Sequence, residues 1–437
     1  MMNRDLVLIL MVSATLPISF IRPWIGVLVY TWLSTMVPQR STWGIAYNLP
    51  FIKVVAVVTL VGLLFTKQRY PLPRRPEVVL LVLLWIVFTG STWLTAFEPA
   101  RAIPKWEETT KILVMAGTVL LLFQDRRKLR LLLLVMAMSI GFYGVKGSIW
   151  AMMTGLQSRL FGPADSHLAD NNALGFAFTM ALPLLALLRQ DTRVPLLRPI
   201  LLGTFGAVIG ALFATYSRGA VVGFAVVLPL LALLIRLKDK PLFAVGLVAC
   251  LVIYFAPRQW AERMQSITPT VYRTDSSGWQ RMQSWYVAWR IGIDHPLLGA
   301  GCHPFSAEVY ERYIPDYVDQ HEAHNHFLQM LAEHGFSGLL LFVALLTTVL
   351  VRLMRLVSRT RGDPGRAWIM HTAQMIGLSL IAYIAGGIFI NHPHSEWLYQ
   401  LIVAAVVLDA IAASPHPDGP LPTGESLLRA GIRRLRR

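Results

Sequence analysis

From His321 to Met354 the chain reads HEAHNHFLQMLAEHGFSGLLLFVALLTTVLVRLM. The first part is dense in imidazole, carboxylate and amide groups. From Phe336 onward the sequence is an apolar run close to the ~20 residues that cross a bilayer as helix. Polar chemistry set against the edge of a membrane segment is costly unless it is used. The junction is therefore read as a reaction centre and the run behind it as a span. Similar apolar runs recur upstream and downstream, at 6–20, 23–37, 50–66, 78–96, 111–124, 131–153, 172–188, 199–216, 220–235, 241–256, 368–390 and 397–413.

Composition agrees with this pattern. Of 437 residues, 55% are hydrophobic and 15% charged, where a soluble domain is roughly 25% charged, and the mean hydropathy is +0.54. The expected fold is an all-α polytopic membrane protein with about 12 transmembrane helices. The net charge of +16 does not point to nucleic acid, because the basic residues cluster in short loops between apolar runs. The clusters are Lys67–Arg75, Arg126–Arg130, Arg189–Arg198, Arg236–Lys240 and Arg352–Arg366. With helices between them they fall on one side, which the positive-inside rule makes cytoplasmic. The first two runs, split by Arg22-Pro23, read as two half-spans, one broken helix or a true hairpin. If both chain ends are cytoplasmic the number of spans is even, and twelve with one irregular segment is expected. The N-terminal run reads as a retained membrane segment and not a removed signal peptide. Cys250 falls in an apolar run and Cys302 in a polar segment, which suggests neither a disulfide framework nor a zinc site.

Four regions follow: membrane helices over 1–256, a loop domain over 257–335 on the face opposite the basic clusters, helices again over 336–413, and a basic tail over 414–437. The loop domain carries Trp260, Trp279, Trp285 and Trp289, suited to interfacial anchoring or stacking. Within it, 279–293 predicts an amphipathic helix, and the Pro and Gly content of His295–Gly301 predicts a turn. The tail predicts a Pro/Gly/Ser-rich stretch and then a basic amphipathic segment on an anionic leaflet.

Several residues could carry chemistry. His324 titrates near neutral pH and suits a general base toward a hydroxyl. A helix starting nearby would put it in one stripe with Leu328, Leu331 and Gly335. His321, His326 and His334 stand close in sequence and raise a metal site, but no carboxylate–histidine spacing matches one, so none is expected. Arg218 lies between two apolar runs on the face where positive-inside logic disfavours a cation, and an arginine fork suits phosphate oxygens. Arg281 sits on the expected external helix, and Arg159 in another external loop. Lys53 and Lys111 read as snorkelling residues, whereas Lys146 pairs internally or lines a cavity. The chain has no phosphate-cradling glycine loop, no Gly-X-Ser-X-Gly turn and no external Asp-X-Asp pair.

The string His324-Asn325-X-Phe-Leu-Gln-X-Leu-Ala-Glu333-X-Gly335 resembles the signature of the O-antigen ligase/polymerase superfamily. So do Tyr216-Ser217-Arg218-Gly219 and Arg281 with Trp285 and Pro296–Gly301. Arg22–Val27 and Trp43–Tyr47 look like the branch of exosortase-associated O-glycosylation ligases. The resemblance implies a glycosyltransferase of the C type (GT-C) with a large helical periplasmic loop, in the inner membrane of a Gram-negative bacterium and in contact with its lipids. It implies a glycan on undecaprenyl diphosphate as donor, a sugar hydroxyl of lipid A–core as acceptor, and metal-independent, inverting transfer without a cofactor. Carried across, His324 is the base and Arg218 and Arg281 hold the donor diphosphate. Secondary candidates are Arg159, Asn325, His321, His326 and Glu333. An O-antigen polymerase or a protein O-oligosaccharyltransferase shares these motifs. A transporter would gather its polar groups at mid-membrane and is disfavoured.

Overall fold

The computed structural model describes residues 2–192, 194–234, 276–315 and 320–414. Those residues are helical and contain no strand. In chain order the helices are α1 Met2–Ile21, α2 Pro23–Met36, α3 Phe51–Phe65, α4 Pro76–Leu94, α5 Pro99–Leu122, α6 Arg126–Met153, α7 Asn171–Asp191, α8 Leu197–Ala214, α9 Arg218–Leu234, α10 Ser276–Asp294, α11 Ala307–Tyr313, α12 His326–Thr360, α13 Ala367–Gly386 and α14 Glu396–Ala412. Seven of the described helices are long and apolar enough to cross a membrane, and α3 and α9 are shorter apolar helices. Trp260, Cys250, the cluster Arg236–Lys240 and the tail from 415 lie outside the described residues.

Local signals set the helix starts. Proline opens α2, α4 and α5, where its missing N–H is not needed. Asp125 caps α6 through Lys128 N at 2.9 Å, and Asp170 caps α7 through Asn172 N and Ala173 N. Helices α7 and α14 are buried along almost their whole length and form the centre. Around them pack α6, α8, α9, α13, α5 and α12. Outer helices such as α1 and α4 turn Leu6, Leu10, Val79 and Val82 outward, as a lipid-facing surface does.

The basic clusters meet at one face. Lys128 lies over the rings of Trp24 and Tyr70, Arg126 and Arg130 reach Asp191, and Arg75 pairs with Asp409 at 2.8 Å. Arg352 joins α12 to α4 and α14, gripping both oxygens of Glu77 at 2.5 and 2.8 Å and Asp409 at 2.8 Å. The Glu77 side chain is fully buried. Removing one partner of a buried, bidentate pair strands the other charge, a loss of about 3–5 kcal/mol. Arg352→Ala should lower the thermal midpoint of the detergent-solubilised protein sharply. Adding Glu77→Gln to that variant should recover part of the loss, which a thermal-shift series reads directly.

The structure corrects one topological expectation. The start of α1 does not lie at the basic face. Arg4 stacks on Trp43 and Asp5 accepts from Ala46 N at 2.9 Å, so the helix begins with the 37–49 loop, on the opposite side. Helices α1 and α2 therefore form a hairpin joined at Arg22-Pro23, one of the readings open for these runs, and the even count that rested on both ends sharing a face does not follow.

Candidate functional site

The face opposite the basic clusters is built from the 37–49 and 154–170 loops, the turn at Ser217, residues 295–315 and 320–325, and the 387–395 loop. Helix α10 occupies 276–294, as the 279–293 pattern predicts. The turn after it docks on α12, with Ala300 N donating to Ala332 O at 2.9 Å, Gly301 N to Glu333 O at 3.0 Å and Phe336 N to Pro296 O at 2.7 Å. This docking uses a break in α12 at Gly335 (φ 65°, ψ −169°), a conformation open to glycine. The break frees carbonyls on α12 and the turn supplies their donors.

His324 precedes α12 and is not on its stripe. Asn325 is the N-cap, its Oδ1 accepting from Phe327 N at 3.0 Å and Leu328 N at 3.2 Å. A strong cap one residue before His326 starts the helix there and leaves His324 in a left-handed turn (φ 45°). Its neighbours are pinned. Ala323 O accepts from Trp285 Nε1 at 2.7 Å, Ala323 N donates to Gln329 Oε1 at 3.2 Å, and His321 O accepts from Tyr310 O–H at 2.6 Å. Beneath them Val287, Ile291, Phe305 and Tyr310 form a small separate core. Non-glycine residues held in left-handed backbone cluster at functional sites, and here His324, His303 and Tyr216 all adopt it.

Trp285 anchors α10 beside Ala323, which sets Arg281, one turn earlier, next to His324. Burial and the Arg281 charge hold the His324 imidazole below its ordinary value, against the opposing pull of Glu322 and Asp170. Arg218 begins α9, and the turn before it is tied to the same Asp170–Asn172 segment. Asn171 Nδ2 donates to Thr215 O at 2.8 Å and Ser217 O–H to Asn172 Oδ1 at 2.9 Å. His324, Arg281 and the Arg218 turn thus gather around the start of α7.

Other candidates separate. His326 points into the core between Tyr383 and Phe176, and among the described residues neither of its ring nitrogens has a partner. Arg159 shares a cavity of about 370 Å³ with Arg4, Arg40 and Lys146, so Lys146 lines a cavity as one reading of it required. His321 serves mainly through its backbone. Glu333 is buried in a polar network, with Oε1 accepting from Gln329 Nε2 at 2.7 Å and His303 N at 3.1 Å, and Oε2 facing His394 Nε2 at 2.8 Å.

Sequence reasoning missed much of this network. Gln329 bridges Glu333 and Glu322, and Glu322 also meets His303 and Asn391. His392 and His394 line a cavity of about 90 Å³ with Lys105, Glu108 and His167. A larger one of about 480 Å³ shares Glu108 and His167 and adds Lys53 and Lys111. Burial, with His167 and Lys105, lowers His392 to about 3, and the His324 charge reaches it too. The available signal was Asn391-His392-Pro393-His394, polar residues packed into a short loop between apolar runs. The structure also brings Glu333 and Cys302 against His334 and His394, so the acidic partner that the histidine spacing lacked comes from within the fold.

Two family models match. Residues 203–343 are similar to the O-antigen ligase family, and residues 2–192 to a family of unknown function, DUF5935. No curated protein matches the chain significantly.

Proposed function

With an O-antigen ligase family domain over residues 203–343, we propose that this chain is a GT-C glycosyltransferase. It moves a glycan from undecaprenyl diphosphate to a sugar hydroxyl of lipid A–core at the periplasmic face of the inner membrane. The observation that carries the reading is His324, pinned in a strained turn beside Arg281, on the face opposite the basic clusters.

The donor already holds a good leaving group, so the protein must orient, stabilise charge and remove a proton. Arg281 and Arg218 offset the negative charge that grows on the diphosphate as the sugar C1–O bond breaks. The acceptor oxygen forms the new bond to C1, and its proton passes to His324. Because burial and Arg281 keep His324 neutral near pH 7, it is ready to accept that proton. One displacement inverts the anomeric centre, and undecaprenyl diphosphate departs. The polar groups gather at one membrane face and not at the midplane of two matched halves, which favours transfer over transport.

The acceptor is tested by incubating the purified chain with a lipid-diphosphate glycan and three acceptors in parallel: lipid A–core, a serine/threonine-rich protein, and a second lipid-linked glycan. Mass spectrometry should find the glycan on lipid A–core. Mass gained only on protein or on the second glycan would replace the ligase reading with an oligosaccharyltransferase or a polymerase.

A further inference from the structure

Behind the His324 loop, four metal-ligating side chains from three segments converge without touching the reacting groups. Cys302 comes from the turn after α10, Glu333 and His334 from α12 just before its break, and His394 from the loop before α14. All four are buried, and one ligand atom from each lies within 4.8 Å of the others. We propose that Cys302, Glu333, His334 and His394 bind one structural zinc ion.

The donors stand close enough to close on that ion with small side-chain shifts. Zinc with N, O and S ligands at 2.0–2.3 Å has tetrahedral edges of about 3.3–3.6 Å. His334 Nε2 is 3.6 Å from Glu333 Oε2, at such an edge, and 4.0 Å from Cys302 Sγ, somewhat beyond it, while His394 Nε2 and Glu333 Oε2 are hydrogen-bonded at 2.8 Å and would have to part as the ion enters. The outer contacts orient the donors. His334 Nδ1 meets Ser91 Oγ at 2.6 Å, which turns Nε2 toward Cys302 and Glu333. Glu333 Oε1 is occupied by Gln329 and His303, which leaves Oε2 for the cation. Such support is what a metal site needs beyond its ligands.

Charge and access define the role. A thiolate, a carboxylate and two neutral imidazoles balance a divalent cation, so the buried cluster carries no net charge. Four protein ligands leave no open position, which marks a structural and not a catalytic ion. Bound there, zinc would staple the 295–303 turn, α12 and the 387–395 loop, the three segments that hold the Glu322–Gln329 network under His324. The cluster stands whatever reaction the face performs.

Untagged protein purified in metal-free detergent and supplied with zinc should retain about one equivalent by plasma mass spectrometry. Cobalt substitution should give the intense visible bands of a tetrahedral site and a thiolate charge-transfer band. Cys302→Ser should abolish the charge-transfer band, and His394→Gln should lose most of the metal. His371→Gln, whose ring meets Gln374 elsewhere on α13, should keep it. Because the cobalt spectrum is read on the wild-type chain, misfolding of a variant does not decide the question. Folded, monodisperse wild-type protein that retains neither zinc nor cobalt would overturn the site, as would an unchanged spectrum in Cys302→Ser.

Discussion

Replacing His324 should reduce glycan transfer by about 10²–10⁴-fold, the range over which a positioned general base contributes. The chain should stay folded in membranes. The cap on α12 belongs to Asn325, and the turn is held through Ala323 and His321, so removing the imidazole breaks none of these contacts. Alanine fits poorly in left-handed backbone, whereas asparagine adopts it readily. His324→Asn is therefore the cleaner test, and near-normal turnover in that variant would remove His324 from the mechanism. The wild-type pH profile gives a second reading. A base must be neutral to act, and burial with Arg281 holds His324 below the ordinary value of about 6.5. The acid limb of kcat/KM should accordingly lie on the acid side of pH 6.5, and His324→Asn should abolish that limb.

Much of the architecture was legible in the sequence because lipid demands continuous apolar runs. The runs and basic loops that fall within the described residues map onto helices and onto one charged face, while the run at 241–256 and the Arg236–Lys240 cluster lie outside them. The placement of α1 was not legible, since it shows only in contacts such as Arg4 on Trp43 and Asp5 with the 37–49 loop. At the site, motif order brought Arg218, Arg281 and His324 into one reading, and they gather around the start of α7. His324 itself was misplaced by a helical periodicity that ignored Asn325, a cap strong enough to stop the helix one residue short. The Glu322, His303, Asn391 and His394 network stayed hidden because its members are as much as 91 residues apart in number, from 303 to 394. They meet only when α12 breaks at Gly335 and the 295–301 turn fills the gap. That break needs a glycine with positive φ, which nothing in a string of apolar and polar letters announces.

Arg281 should show the second-largest effect, and two readouts that move together identify it. Trp285 anchors α10 to Ala323 independently of Arg281, so Arg281→Gln should leave the helix in place. Removing one preorganised charge from a developing anion costs about 10²–10³-fold, and that loss should fall on kcat/KM for the lipid-diphosphate donor. Arg281→Lys should recover only part of it, because an ammonium keeps the charge but not the paired N–H groups that fit phosphate oxygens. The same charge also lowers His324. Arg281→Gln should therefore move the acid limb of the profile upward, toward the ordinary histidine value. Burial is the largest of the lowering influences, so the shift should stop short of that value. A purely structural arginine would weaken turnover without moving the limb, and a donor ligand remote from His324 would raise KM without moving it. Only a guanidinium facing both the diphosphate and the base changes donor kinetics and the pH profile in one substitution. Unchanged donor kinetics with an unmoved limb would place Arg281 outside the site.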